Sequence, residues 1–272
     1  MLKTRVLTAI VIVAVAFSVI FLTPDWGFRL AMALLLMAGS WEFSRLAGLG
    51  SRSRWALLFI QSILIGLMMR YWNSIAIHAH AFLAAACLSW CVMFLRLVTF
   101  RPGGQAGLNF RLVSFFCALA AISFAWYALC WLRGLENGVF LILLLLFIIW
   151  SADTGAYFAG RLFGRHKLAP AISPGKTREG LLGGVLSAVL VALLVAHLTI
   201  GLPAALAPFI LLTAITVLVS AAGDLFISLH KRTVGLKDSG HLFPGHGGVL
   251  DRFDSLLAGA PFFALGMLIL GR

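Results

Sequence analysis

Nine apolar segments, each close to twenty residues long, follow one another along this chain of 272 residues. A helix that crosses a bilayer needs about 20 mostly apolar residues. Only 11% of the chain is charged, against roughly 25% in soluble domains. These features predict an all-α, polytopic membrane protein with about nine transmembrane helices. Their predicted bounds are 5–23, 28–44, 55–71, 78–99, 112–132, 138–159, 181–200, 203–223 and 255–270.

The positions of lysine and arginine predict how these helices are oriented. With the N-terminus inside, seventeen of the twenty-one basic residues fall in inner segments and four in outer ones. Cytoplasmic loops carry such an excess, so we expect a cytoplasmic N-terminus and active-site loops on the cytoplasmic face. This bias, together with an anionic substrate, explains the net charge of +12 better than nucleic-acid binding does, because the basic residues are scattered over short loops.

Polar residues that could carry chemistry are concentrated in the second half of the chain. We expect one integral membrane domain over residues 1–272, in which 1–135 supply mainly scaffold and lipid-facing helices and 136–272 form the catalytic half. In the first half only Glu42 and Arg45 stand out, and an ordinary ion pair at i, i+3 explains them. The four cysteines lie inside predicted helices, so they indicate neither disulfides nor a zinc site.

The densest charged segment, residues 224–254, lies between two apolar segments. It holds eight of the thirty charged residues, and charges so close to lipid are usually functional. If the preceding helix continues into this segment, Asp224, Ser228 and Lys231 lie on one face at i, i+4 and i+7. A carboxylate, a hydroxyl and an ammonium group aligned in this way suit a metal-bound phosphate.

Asp251 and Asp254 open the last predicted helix and face the same way at i, i+3, although Asp254 could equally be the N-cap of that helix. Oxygen ligands without cysteine favour Mg²⁺ over zinc, and the nearby histidines match no usual zinc spacing. Mg²⁺ takes one or two carboxylates plus substrate phosphates. Asp224 and Asp251 therefore suffice as its anchors.

The polar stretch between predicted helices six and seven offers further candidates. Asp153 lies inside or at the end of helix six, where a carboxylate needs a partner or a water-filled cavity. An ion pair with Arg161 or with a neighbouring helix would satisfy it without any function. The loop from Ser173 to Thr177 could present backbone N–H groups, hydroxyls and Lys176 to a phosphate. The alternative is helix capping, with Thr177 as the N-cap.

The segment from Ser228 to Asp254 resembles the signature of the phosphatidate cytidylyltransferase, or CDP-diacylglycerol synthase, family. The resemblance extends upstream to the stretches SADTGAY, GRLFGRHKLAP and SPGKT, whereas the N-terminal half is similar only in hydropathy and layout. His230 departs from the family, which usually has an apolar residue there. The residues that carry the resemblance are Ser228-x-x-Lys231-Arg232, Lys237-Asp238-Ser239-Gly240, Pro244-Gly245-His246-Gly247-Gly248 and Asp251-Arg252-Phe253-Asp254.

The resemblance implies transfer of the cytidylyl group of CTP to phosphatidic acid, giving CDP-diacylglycerol and pyrophosphate by in-line attack of the lipid phosphate on the α-phosphorus. It also implies Mg²⁺, room for a second cation, a homodimer and a bacterial cytoplasmic (inner) membrane. The catalytic residues are then Asp224, Asp251, Lys231 and Arg232, and the metal ligands Asp224, Asp251 and, as a spare, Asp254. Substrate contacts are expected from Asp153, Ser173, Lys176, Thr177, Ser228, Lys237, Asp238, His246 and Arg252.

A cation-coupled secondary transporter is the main alternative, since it would also combine many helices with intramembrane carboxylates. Transporters tend to pair broken helices in two related halves near the middle of the bilayer. Here the charges lie at one face and only in the second half. A membrane enzyme that joins an alcohol to a CDP-linked lipid is a closer rival in chemistry, but its DG…AR pattern is absent from the sequence.

Overall fold

The computed structural model describes residues 2–100, 103–104, 106–199, 206–245 and 247–271, with side chains from residue 8 onward except residue 9. Helices dominate these described residues, and one short hairpin interrupts them. The elements are α1 (Leu2–Leu22), α2 (Asp25–Leu46), α3 (Ser51–Arg70), α4 (Trp72–Ile77), α5 (Ala79–Thr99), α6 (Leu108–Arg133), α7 (Gly138–Phe163), β1 (Lys167–Ala169), β2 (Ser173–Thr177), α8 (Arg178–Thr199), α9 (Leu206–Thr233) and α10 (Leu250–Ile269).

Seven helices of the described chain are long and apolar enough to cross a membrane, namely α3 and α5 to α10. Helix α1 adds a shorter apolar stretch, Ile10–Leu22. Helix α2 is 22 residues long but carries charged residues near both ends. The prediction of an all-α polytopic membrane protein is confirmed. The number of nine spans and their orientation stay predictions.

Helix α6 forms the centre of the packed body. It contacts α2, α3, α5, α7 and α10, and its Trp126 and Tyr127 side chains are fully buried. Both rings contact Trp72 of α4, and the Trp126 indole N–H donates to the Arg29 carbonyl oxygen at 3.0 Å. Helices α9 and α10 pack against this body through α5 and α6.

Helices α7 and α8 form a close pair because small residues line their contact. Such residues let two membrane helices approach to backbone distance, and a Cβ at Gly184 would lie only 2.8 Å from the Ala152 carbonyl oxygen. The opposite face of α8 exposes leucines at the same spacing, as contact with lipid requires. The buried residues are Gly180, Gly184, Ala188, Ala192 and Ala196, and the exposed ones are Leu182, Leu186, Leu190 and Leu194.

The segment between α7 and α8 is an antiparallel hairpin, where the sequence pattern indicates a loop. Lys167 pairs with Thr177 and Ala169 with Ser173. Strands of three and five residues are too short for a hydropathy pattern to reveal, and β2 also contains proline and glycine. The Thr177 hydroxyl accepts a hydrogen bond from the Gly180 N–H at 3.1 Å, so Thr177 does cap α8. Contact of the Ser173–Thr177 segment with a phosphate stays a prediction.

Helix α9 continues to Thr233, which places Asp224 and Lys231 on one helix as the sequence analysis requires. Helix α10 begins at Leu250, with Val249 at its N-cap position. The hypothesis that Asp254 is the N-cap is therefore wrong, since that residue lies in the second turn.

Candidate active site

A cavity of about 440 Å³ opens between α7, the hairpin, α8, α9 and α10. This volume lies within the range of small-molecule sites, roughly 300–1,000 Å³. The wall combines apolar side chains such as Ile149 and Val217 with a few polar ones. The polar residues in the lining are Asp153, Tyr157, Ser173, Lys176, Thr177, Ser220 and Ser255.

Lys176 and Asp224 form the first of two lysine–aspartate pairs near this cavity. Lys176 extends from β2, and its Nζ atom lies 2.5 Å from Oδ2 of Asp224 on α9. The Ser228 hydroxyl donates to Oδ1 of Asp224 at 3.2 Å, as their spacing by one helical turn predicts. Asp153 of α7 lies in electrostatic range of both charges. Arg161 donates to the Tyr157 hydroxyl at 3.0 Å, so an ion pair with Arg161 does not explain Asp153.

Lys231 and Asp251 form the second pair, which is more deeply buried. Their Nζ and Oδ1 atoms are 2.9 Å apart, and the side chains are only 12% and 8% exposed. Oδ2 of Asp251 accepts the backbone N–H groups of Ser239 at 2.8 Å and Gly248 at 2.9 Å. Asp251 thus joins α9, the loop after it and the first turn of α10.

Asp254 lies one turn further along α10. Its Oδ1 atom accepts the Ser255 N–H at 2.8 Å. Its carboxyl group is close enough to that of Asp224 for the two to interact, and Lys176 and Lys231 are near both. Helices α9 and α10 are close here because Gly223 has no side chain, and a Cβ there would lie 2.9 Å from the Asp254 carbonyl oxygen.

The remaining predicted site residues lie around this centre. The Arg232 Nε atom donates to the Ile172 carbonyl oxygen at 3.2 Å, so this side chain reaches back to the hairpin turn. Lys237 and Asp238 are exposed in the loop between α9 and α10, and Arg252 is exposed in the first turn of α10. The sequence analysis also names His246, which lies outside the described residues.

Glu42 of α2 lies beside the same loop, and the interpretation of an ion pair with Arg45 is wrong. No such pair occurs among the ion pairs of the described residues. The Glu42 carboxylate instead accepts hydrogen bonds from the Ser239 hydroxyl and from the backbone N–H groups of Val249 and Leu250. A glutamate within an apolar helix was the available signal. Its partners, about 200 positions away, could not be deduced from spacing.

The carboxylates at the centre fit a hard divalent cation. Within the described chain, no three His, Cys, Asp or Glu side chains form a ready-made ligand group. Mg²⁺ needs only one or two carboxylates when substrate phosphates complete its coordination. The carboxyl groups of Asp224 on α9 and Asp254 on α10 are close enough to interact unfavourably. A cation bound between them would offset this repulsion. Asp251 is adjacent, with its oxygens bound to Lys231 and to two backbone N–H groups.

The chain is similar to a known protein family over nearly its whole length. The sequence model of the cytidylyltransferase family matches residues 3–270. The chain belongs to this family. It is 40% identical to the phosphatidate cytidylyltransferase of Pseudomonas aeruginosa over 267 residues, which cover 97% of this chain and 96% of that protein. The enzyme of the same name from Haemophilus influenzae is 34% identical over 285 residues, covering 97% and 98% of the two chains.

The phosphatidate cytidylyltransferase of Brucella suis is also similar, with 37% identity over 278 residues that cover 97% of this chain and 92% of that protein. These alignments extend over both halves of the chain, including the helices that resemble the family only in hydropathy. Cytidylyltransferase activity generally needs a divalent cation, and the carboxylates of α9 and α10 match that need.

Proposed function

We propose that this membrane protein transfers the cytidylyl group of CTP to phosphatidic acid, forming CDP-diacylglycerol and releasing pyrophosphate. The observation that carries this function is the convergence of two lysine–aspartate pairs beside a cavity between membrane helices, in a chain of the cytidylyltransferase family. A lipid substrate reaches such a cavity from the bilayer. A nucleotide reaches it from water, past the polar hairpin.

Repulsion between the substrates is the main obstacle to this reaction, because both are polyanions. Two unit charges about 4 Å apart repel by roughly 4 kcal/mol at an effective dielectric constant of 20. We propose that Lys176 and Lys231, which bind aspartates in the structure, turn to the substrate phosphates when these arrive. Each lysine would then exchange one anionic partner for another within the same site.

We propose Mg²⁺ as the cation, with Asp224 and Asp254 as its ligands and Asp251 joining them once Lys231 has turned to a phosphate. When bound, Mg²⁺ would neutralise charge on the phosphates and on the leaving pyrophosphate. A second cation beside the first would use the same three carboxylates.

The bond changes need little from the protein beyond position and charge. A lipid phosphate oxygen attacks the α-phosphorus of CTP, and the bond from that phosphorus to the β-phosphate oxygen breaks. The nucleophile is ionised near neutral pH, so no strong general base is required. We assign Lys231 and Arg232 to stabilising the developing charge. Contacts with the nucleotide and lipid phosphates are assigned to Asp153, Ser173, Lys176, Thr177, Ser228, Lys237, Asp238, His246 and Arg252.

We also propose that the enzyme is a homodimer of the bacterial inner membrane. The resemblance supports the dimer, and the bacterial relatives support the membrane. Cross-linking in native vesicles should capture a species of twice the chain mass. Capture of the monomer alone at high cross-linker concentration would contradict the dimer without affecting the proposed reaction.

The decisive assay follows pyrophosphate release by the purified full chain in detergent. Release should require CTP and phosphatidic acid together with Mg²⁺, and it should yield CDP-diacylglycerol in equal amount. Diacylglycerol in place of phosphatidic acid is the matched control, since it lacks the attacking phosphate. Folded protein that releases no pyrophosphate with CTP or dCTP would refute the proposed function.

A further inference from the structure

Glu42 is a buried carboxylate in the N-terminal half that the proposed chemistry does not use. The residue is 5% exposed. Its Oε2 atom accepts the Ser239 hydroxyl at 2.7 Å and the Leu250 N–H at 2.9 Å, and its Oε1 atom accepts the Val249 N–H at 2.9 Å. Three donors from the other half of the chain therefore converge on one side chain of α2.

Two of these donors are the N–H groups that begin helix α10. The first N–H groups of a helix have no partner within the helix, and Val249 at the N-cap position has no side chain that could accept them. Glu42 takes over this capping role from a different helix. Its negative charge also lies at the positive end of the α10 dipole, where an anion is stabilised.

The third donor, Ser239, connects Glu42 to the predicted metal site. Ser239 is fully buried and is held at two points, because its hydroxyl binds Glu42 while its backbone N–H binds Asp251. Gly240 and Gly248 lie directly against the Glu42 carboxylate, so that a Cβ on either would collide with it. Glu42 and Asp251 therefore hold the loop from both sides.

From this geometry we infer that Glu42 is a positioning residue of the active site. By fixing the start of α10 and the loop before it, Glu42 sets where Asp251 and Asp254 point. The inference rests on the proposed function, since it assigns a supporting residue to that same site. It also gives α2, in the first half of the chain, a direct part in the geometry of the catalytic half.

Glu42→Gln is the sharpest test because it keeps size and shape. The glutamine amide nitrogen is a donor and replaces one of the two carboxylate oxygens. In either position it faces a backbone N–H group, that of Val249 or that of Leu250, which then has no acceptor. We expect kcat for pyrophosphate release to fall about 10- to 100-fold and half-maximal activity to need about 3- to 10-fold more Mg²⁺. KM for phosphatidic acid should stay within about twofold, since Glu42 is not among the residues that line the cavity. Hydrogen exchange should quicken in peptides covering 239–251.

Glu136→Gln is the matched control, because it makes the same change at an exposed glutamate in the turn between α6 and α7 and should leave every readout unchanged. If Glu42→Gln does not fold, Ser239→Ala removes a single donor and should show the same Mg²⁺ shift in weaker form. Wild-type kcat and Mg²⁺ dependence in a folded Glu42→Gln or Ser239→Ala protein would overturn the inference. So would a general loss of thermal stability with normal kcat.

These outcomes are distinct from failure of the proposed function. In that case the wild-type chain would release no pyrophosphate at all. Hydrogen exchange, measured without substrates, would still report whether Glu42 holds residues 239–251: wild-type exchange in Glu42→Gln would overturn that role, and faster exchange confined to this segment would support it.

Discussion

At the scale of single residues, the two lysine–aspartate pairs differ in burial, and this difference separates their expected roles. Lys176 and Asp224 are 29% and 26% exposed, whereas Lys231 and Asp251 are 12% and 8% exposed. Loss of one partner from a buried pair leaves an uncompensated charge, which is strongly destabilising. A partly exposed lysine that loses its partner is solvated by water instead. Asp251 thus serves both stability and chemistry, and Asp224 mainly chemistry.

We therefore expect Asp224→Asn and Asp251→Asn to be similar in activity and different in stability. Both should lower kcat about 100-fold or more. Asp251→Asn should lower the free energy of unfolding by about 3 kcal/mol, and Asp224→Asn should lower it by less, because its pair is more exposed. Pyrophosphate release and thermal unfolding in detergent measure the two effects. Glu136→Gln, at an exposed glutamate in the turn between α6 and α7, is the control. Full activity in both site variants would refute the proposed ligands.

At the scale of elements, His230 links three helices through ring contacts and a hydrogen bond. The imidazole is fully buried among the rings of Phe43, Phe110 and Phe226. One ring nitrogen lies 3.1 Å from the Ser114 hydroxyl of α6. Ser114 in turn accepts a hydrogen bond from Arg96 of α5 at 3.2 Å. A chain of polar contacts therefore connects α5, α6 and α9.

His230→Leu should cost about 1–3 kcal/mol of stability, because the Ser114 hydroxyl then loses a buried partner. Adding Ser114→Ala should cost less than the two single changes together, since the residues share one hydrogen bond. Denaturation of the single and double variants measures the coupling. Additive losses would show that the contact contributes no coupling energy. In each folded variant kcat should remain within about twofold of wild type, because His230 contacts rings and Ser114 rather than the cavity.

The close pair of α7 and α8 depends on backbone contact at Gly184. Gly184→Ala should lower the free energy of unfolding by about 1–3 kcal/mol, because the added methyl group forces the Ala152 backbone away. Gly66→Ala in α3 is the matched control. Nothing lies within 4 Å of the added Cβ, so this change should stabilise the helix by up to about 1 kcal/mol. Equal effects at both positions would contradict the packing argument.

Some features of the fold and of the site follow from the sequence alone, and others do not. Apolar segments predict the helices because burial in lipid is a local requirement of about 20 residues. The contact of Ser228 with Asp224 follows from helical spacing. The pairing of Lys176 with Asp224 and the bonds of Glu42 to α10 do not, because they join distant segments whose register only the packed structure fixes. The hairpin was not predicted for a related reason. Its two short strands are stabilised by pairing with each other, and neither strand shows this in its own sequence.

At the scale of the whole molecule, positive charge at the site comes from the chain itself as well as from any cation. Lys176 pairs with Asp224 and Lys231 pairs with Asp251. These ion pairs offset part of the negative charge of the aspartates from within the chain. Catalysis requires more positive charge than this, because two polyanionic substrates bring several negative charges into the site at once.

Chelation should accordingly abolish activity without unfolding the protein. With EDTA, pyrophosphate release should fall to background, and added Mg²⁺ should restore it. The melting temperature should shift by less than about 2 °C between the two conditions, which corresponds to less than about 1 kcal/mol. A large fall in melting temperature with EDTA would show that a bound cation is part of the fold, contrary to this expectation.

The bonds between Glu42 and α10 also bear on how the protein is made. The residues that donate to Glu42 follow it by 197 to 208 positions, and a growing chain lengthens by about 5–20 residues each second. For roughly 10–40 seconds, α2 therefore exists without the partners of its buried carboxylate, which is costly in a membrane. Helix α10 supplies contacts that α2 lacks until then, so biosynthesis leaves an early element without its partners until about 200 further residues have been made.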